Sequence, residues 1–140
     1  MPNFCIAGIE YLHSARPSKP ALVHQNISAD KVLLDYAYRP LISGCGLHKL
    51  LVDDLVGRLS EKSDVYAFGV IVLQVLAGKR KVAVTAQLPG DVGELVDGNL
   101  QGSYSAAEAA KLAEIAVACT GEDPDRRPTM AELLQELATV

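Results

Sequence analysis

The residues best suited to chemistry lie in one run, VHQNISADKVLLD, Val23 to Asp35. A histidine (His24), a carboxamide (Asn26), a hydroxyl (Ser28) and a cation (Lys31) stand at short intervals ahead of an apolar stretch. The run has the outline of a catalytic loop leading into a strand, yet its residue types argue against proton or metal chemistry. A neutral amide such as Asn26 accepts a hydrogen bond but is no useful proton acceptor at pH 7. The ammonium of Lys31 supplies no lone pair to a metal and repels it. His13 and His48 lack partners at metal or catalytic spacing and receive no function. Cys5, Cys45 and Cys119 are odd in number and far apart, which argues against a zinc site or a disulfide framework and fits a reducing intracellular setting. Asn26-Ile27-Ser28 forms an N-x-S sequon, but the start MPNFCIAGIE has neither a basic leader nor an uninterrupted apolar core, so the sequon reads as accidental.

Such residues need elements to position them, and the chain predicts a mainly helical domain. Cys5, Gly8, Ile9 and Leu12 fall at i, i+3, i+4, i+7, one stripe of an amphipathic helix, which ARPSKP then breaks. KVLL and RPLIS, separated by Asp35 to Tyr38, read as a small hairpin. The apolar run VYAFGVIVLQVLA, Val65 to Ala77, is too short for a bilayer, which takes roughly 20 apolar residues. Apolar on all sides, it reads as a central core helix capped by Ser60, with Tyr66, Phe68 and Leu73 in the core. Val82 to Tyr104 is loop-rich, with one turn of helix expected around Val92 to Val96. SAAE (Ser105 to Glu108) and TMAE (Thr129 to Glu132) are capping boxes that open two further helices. Leu112, Ile115, Ala116 and Cys119 share a face of the first, which Gly121 ends. Met130, Leu133, Leu134 and Leu137 line the second.

Composition bounds the rest. A chain of 140 residues, 49% hydrophobic and 21% charged, suits one compact domain that buries most of its apolar surface. A net charge of −4 argues against a nucleic-acid binder, which would show a basic face. Lys79-Arg80-Lys81 follows the apolar run and suits the negative end of a helix dipole.

The order of these pieces resembles the C-terminal lobe of protein kinases, in particular the plant receptor-like kinase branch with leucine-rich repeats. Val23 to Asp35 aligns with the catalytic loop H-R-D-L-x-x-x-N and its following strand. LISGCGLHKL, Leu41 to Leu50, is similar to the segment that carries D-F-G, and SEKSDVYAFGVIVLQVLAGKR to the family's central helix. AAKLAEIAVACTGEDPDRRPTMAELLQEL resembles the last two helices, including the Arg127-Pro128 pair. The resemblance implies a single partial kinase-like domain over residues 1–140: a buried central helix ringed by helices, a small hairpin, a shortened activation segment, and no counterpart of the N-terminal lobe.

For the site, the resemblance implies retained structure beside lost chemistry. His24 matches the motif histidine, a packing residue, and Gly46 the glycine of D-F-G. Asp64 matches the aspartate that holds the loop backbone from the central helix; a solvated first-turn acid is its rival reading. Gln25 replaces the loop arginine, Asn26 the catalytic aspartate, Ser28 a lysine, Lys31 the magnesium-binding asparagine, and Gly44 the aspartate of D-F-G, with Cys45 at its phenylalanine. No catalytic, metal or cofactor-binding residue is therefore assigned, and ATP and Mg are expected by family likeness alone. Arg127 matches an arginine whose A-P-E glutamate partner is missing. Either it is exposed, or it pairs with another acid such as Asp53, Asp54 or Glu61, or the domain is weakened. The leading expectation is a non-catalytic protein-binding module on the cytoplasmic side, without membrane insertion, whose partners are receptor-like kinases or other signalling proteins. A non-functional truncated product is the competing reading, and an active kinase the remote one.

Overall fold

The computed structural model describes residues 2–45, 60–84 and 91–138. Among the described residues, four helices and one two-stranded sheet follow in the order α1 (Pro2–His13), β1 (Val32–Leu34), β2 (Pro40–Ile42), α2 (Glu61–Ala77), α3 (Ala106–Cys119) and α4 (Met130–Leu137). Two helix pairs form the body: α2 lies against α3, and α1 against α4, with α1 also touching β2. Among the described residues no helix is long and apolar enough to cross a membrane.

The buried line of α1 is Cys5, Ile6 and Ile9, while Gly8 and Leu12 are half-buried. The expected stripe is turned toward Ile6 because α1 is covered on two flanks, by α4 and by β2. The helix gives way at the ARPSKP turn, where Arg16 and Lys19 pair through both backbone N–H groups and stand over the Tyr11 ring at 4.8 and 5.2 Å.

The hairpin forms where expected, with Val32 opposite Ile42, Leu33 opposite Leu41 and Leu34 opposite Pro40. Asp35 builds its turn. One carboxylate oxygen accepts the N–H groups of Ala37 (2.8 Å) and Arg39 (2.9 Å), and the other accepts Nε of Arg39 at 2.7 Å. The Arg39 backbone N–H, foremost among these, holds the Asp35 carboxyl below its ordinary range.

Helix α2 starts at Ser60, in extended conformation, and stops at Gly78, whose φ of 61° is the left-handed cap that glycine adopts without a Cβ clash. The cations Lys79 to Lys81 lie beyond this cap, outside the last helical turn. The expected core helix is present: Val65, Phe68, Gly69, Val72, Leu73 and Leu76 are buried. One flank differs. Tyr66, Val70 and Ile71 are only partly covered and Val75 is 71% exposed. No element among the described residues closes that side, because α3 occupies the other.

Small side chains set the α2–α3 spacing. Ala109, Ala113, Ala116 and Cys119 are buried on α3, and Leu112 sits at the rim. A Cβ at Gly69 would come within 2.6 Å of Cys119 Cβ, 2.8 Å of Thr120 Cγ2 and 3.0 Å of the Ala116 carbonyl. Ser105 caps α3 by accepting the Glu108 N–H at 3.3 Å. The helix ends on Thr120, whose hydroxyl returns to the Ala116 carbonyl at 2.9 Å; Gly121 is not among the residues with positive φ. In α4 the capping box is complete, with Glu132 accepting the Thr129 N–H at 2.6 Å and Thr129 Oγ1 accepting the Glu132 N–H at 3.2 Å. Val92–Glu94 and Gly98–Leu100 are single 3₁₀ turns opened by Asp91 and Asp97; the expected turn is the first, and the second was not foreseen.

Gly69→Ala is expected to destabilise the fold by about 1–3 kcal/mol, since the obstructing atoms include backbone; urea denaturation measures it. Burial, with the Glu136 charge second, pushes the Cys119 thiol up to about 12. Cys45 is exposed. At pH 8 a maleimide should therefore label Cys45 and leave Cys119 unmodified until denaturant is added, as peptide mass mapping would record.

Candidate functional site

The loop between α1 and β1 has few backbone partners of its own, so its N–H groups require acceptors from elsewhere. Asp64, in the first turn of α2 and 1% exposed, supplies them. Its Oδ2 accepts the His24 N–H at 2.7 Å and its Oδ1 the Gln25 N–H at 2.9 Å. Gln25 has φ of 66°, a left-handed conformation that costs a non-glycine residue of order 1–3 kcal/mol, and the carboxylate bond offsets it. A carboxylate buried in this way is not a solvated helix-start acid.

His13, given no role from the sequence, reaches the same carboxylate: its Nε2 lies 2.9 Å from Asp64 Oδ2. Spacing could not reveal this pair, because 51 residues separate the partners. One side chain thus ties the end of α1, the start of α2 and the loop together.

His24 extends the tie. Its Nδ1 faces the Asn26 N–H at 3.3 Å and so must accept, which places the proton on Nε2, 3.0 Å from the Ser43 carbonyl. The imidazole, fully buried, therefore bolts the loop to the segment after β2. Ser43 answers by donating its N–H (2.9 Å) and hydroxyl (3.0 Å) to the Lys31 carbonyl. Gly44 follows with φ of 78°. Gly46, Asp53 and Asp54 lie outside the described residues.

Around this frame stand the polar side chains of the loop. Ser28 donates to Asp30 Oδ1 at 2.6 Å and precedes the 3₁₀ turn Ala29–Lys31. Lys31 is partly covered, with its Nζ 3.4 Å from Asp30 Oδ2. The Ser28 hydroxyl, ahead of the other causes, keeps the exposed Asp30 carboxyl below its ordinary range. Asn26 is partly buried, and Cys45 is exposed. The loop thus brings Asn26, Ser28, Asp30 and Lys31 to the surface on one rigid support.

Arg127 settles by a route that sequence reading did not consider. Its Nε donates to the Gly121 carbonyl at 2.8 Å and its Nη1 to the Lys62 carbonyl at 2.9 Å, while the guanidinium stacks 4.8 Å above the Tyr66 ring. Lys62 reciprocates by donating its ammonium to the Arg127 carbonyl. Among the described residues no carboxylate, Glu61 included, pairs with Arg127. Tyr66, expected in the core, is half-buried beneath this cation.

Known proteins are similar to this chain in sequence and in fold. The profile of the family described as protein tyrosine and serine/threonine kinase matches residues 55–137. The chain belongs to the protein kinase family. A probable LRR receptor-like serine/threonine-protein kinase of Arabidopsis thaliana is 32% identical over 93% of this chain, which spans 16% of that relative. The salt tolerance receptor-like cytoplasmic kinase 1 of Oryza sativa subsp. japonica is 32% identical over 92% of the chain, and here the chain spans 45% of the relative. Among solved structures, the pseudokinase domain of BIR2, titled an immune regulator of the RLK/Pelle family, superposes with a TM-score of 0.79 at 28% identity. That likeness covers 99% of this chain and 50% of the solved one. The described residues are therefore a kinase C-lobe of receptor-like kinase type. The profile match begins after the loop, so Asn26, Ser28 and Lys31 lie outside it.

Replacing Asp64 by Ala should cost roughly 3–5 kcal/mol, because buried N–H groups and the His13 ring lose their acceptor together. Asp64→Asn, which keeps one carbonyl oxygen, should cost less than the alanine variant. Equilibrium urea unfolding of both variants checks the order.

Proposed function

We propose that this chain is a non-catalytic, pseudokinase-type module of the receptor-like kinase branch that acts through protein binding. The observation that carries this reading is the contrast within one loop. Its backbone is fastened by Asp64 and His24, while its proton-acceptor and metal positions hold Asn26 and Lys31; the second metal position, after β2, holds Gly44.

Phosphoryl transfer in this family rests on positioning and on neutralising charge around Mg²⁺ and the phosphates. The residues present do not fit a magnesium-nucleotide. At one metal position Lys31 supplies an ammonium, and its nearest acid, Asp30, is engaged by Ser28 and lies 3.4 Å from Lys31 Nζ. At the other, Gly44 has no side chain. Asn26 cannot take the hydroxyl proton of a substrate at neutral pH. Loss of a positioned base alone removes about 10²–10⁴-fold in rate. The relative titled a pseudokinase and immune regulator supports a role that needs no transfer step. Partners of this reading are receptor-like kinases or associated signalling proteins, met on the cytoplasmic side of the membrane.

Thermal melting of the chain with and without Mg²⁺-ATP tests the reading. A single cooperative transition that does not move with nucleotide is expected. A ligand at about 100 times its Kd would add about 2.7 kcal/mol to the folded state. A saturable rise in Tm, or phosphate passing from ATP to protein in a manner abolished at Asn26 or Lys31, would overturn the proposal. A featureless melt would instead favour a defunct fragment.

A further inference from the structure

The flank of α2 that no described element covers forms the floor of an open groove of about 820 Å³, with loop residues from Ile27 to Asp30 in its wall. Two i, i+4 rows run along this floor, Tyr66–Val70–Gln74 and Ala67–Ile71–Val75. Such rows are the ridges between which a second helix seats its own side chains. From Tyr66 to Ala77, the end of α2, the floor is about 17 Å long at the helical rise, or about three turns.

Charge gives the groove a polarity. Lys79 and Arg80 line it beyond the C-terminus of α2, both exposed, and neither has an ion pair among the described residues. The carbonyl end of α2 makes the same end favourable for a partner's positive helix pole. A helix running antiparallel to α2 brings its N-terminus there, and acidic side chains are favoured in that first turn. Apolar floor, cationic end and dipole therefore select one occupant.

We propose that this groove docks an amphipathic helix of a partner protein, antiparallel to α2, with its apolar stripe on Val70, Ile71 and Val75 and an acidic first turn against Lys79 and Arg80. The inference rests on the protein-binding reading above and names the surface that reading requires. Helix-in-groove recognition of this kind is read as i, i+3, i+4, i+7 anchors.

The test uses the whole chain and a fluorescein-labelled synthetic helix of about 18 residues, leucines on one stripe and two glutamates in its first turn. Fluorescence anisotropy should show saturable binding. Val75→Asp, at a site exposed enough to leave the fold intact by circular dichroism, should weaken it about tenfold or more by opposing an unpaired charge to the stripe. Lys79→Glu with Arg80→Glu should weaken it comparably, and lysines in the peptide's first turn should restore it, in a salt-sensitive way. Leu34→Asp, in the apolar cleft beneath the hairpin that also borders Ile71 and Val75 but not Val70, should leave it unchanged, which separates the groove from that cleft. No saturation at millimolar peptide, no rescue by the charge swap, or loss with Leu34→Asp alone overturns the proposal. So does sedimentation showing that Val75 instead mediates pairing of two copies. A protein partner that still binds Val75→Asp would sink the groove and leave the module reading standing. A nucleotide-dependent Tm rise would sink the non-catalytic reading without touching the anisotropy result.

Discussion

One carboxylate holds this domain's working parts in register. Asp64 receives two backbone N–H groups from the loop and the imidazole of His13 from the end of α1. A buried charge is costly unless it is fully hydrogen-bonded, so its presence forces the surrounding donors into fixed positions. The loop could not keep Gln25 in the left-handed region without that acceptor. His24 then passes the constraint on to Ser43, and through the Lys31 carbonyl back to the start of the hairpin. Side-chain chemistry on the loop is a separate matter from this backbone frame. The frame persists with an amide, an ammonium and a glycine at the reactive positions because none of those side chains takes part in it.

The helical body has a similar economy. Gly69 and the alanines of α3 let two backbones approach closely, while Ile6, Ile9, Phe68, Ile115, Met130 and Leu133 fill the rest of the core. Close packing on that side leaves nothing to cover the opposite flank of α2 among the described residues. The same apolar run that builds the core therefore also offers Val75 and its neighbours to solvent. Arg127 shows how the remaining parts adjust. Two carbonyls and an aromatic face satisfy a cation for which sequence reading sought a carboxylate.

Local signals were legible in the sequence because their causes are local. The Thr129–Glu132 box, the hairpin strands and the burial of Met130 and Leu133 all depend on residues a few positions apart. The loop's degenerate side chains could be read outright, since an amide and an ammonium have the same chemistry wherever they sit. The role of Asp64 was legible only through family resemblance. His13 was passed over because nothing within a helical turn of it signals a carboxylate 51 residues away.

The sequence by itself determined which groups the loop can offer, which segments are helical and which family the pattern resembles. Only the tertiary structure decided what holds Arg127, what His13 touches and which flank of α2 the described elements leave uncovered. Hydrophobicity records that a side chain gains by leaving water, at roughly 25 cal/mol per Å² of apolar area, but carries no information on which surface will cover it. That answer comes from the way distant elements meet, and here α3 reaches one side of α2 while no other described element covers the opposite flank.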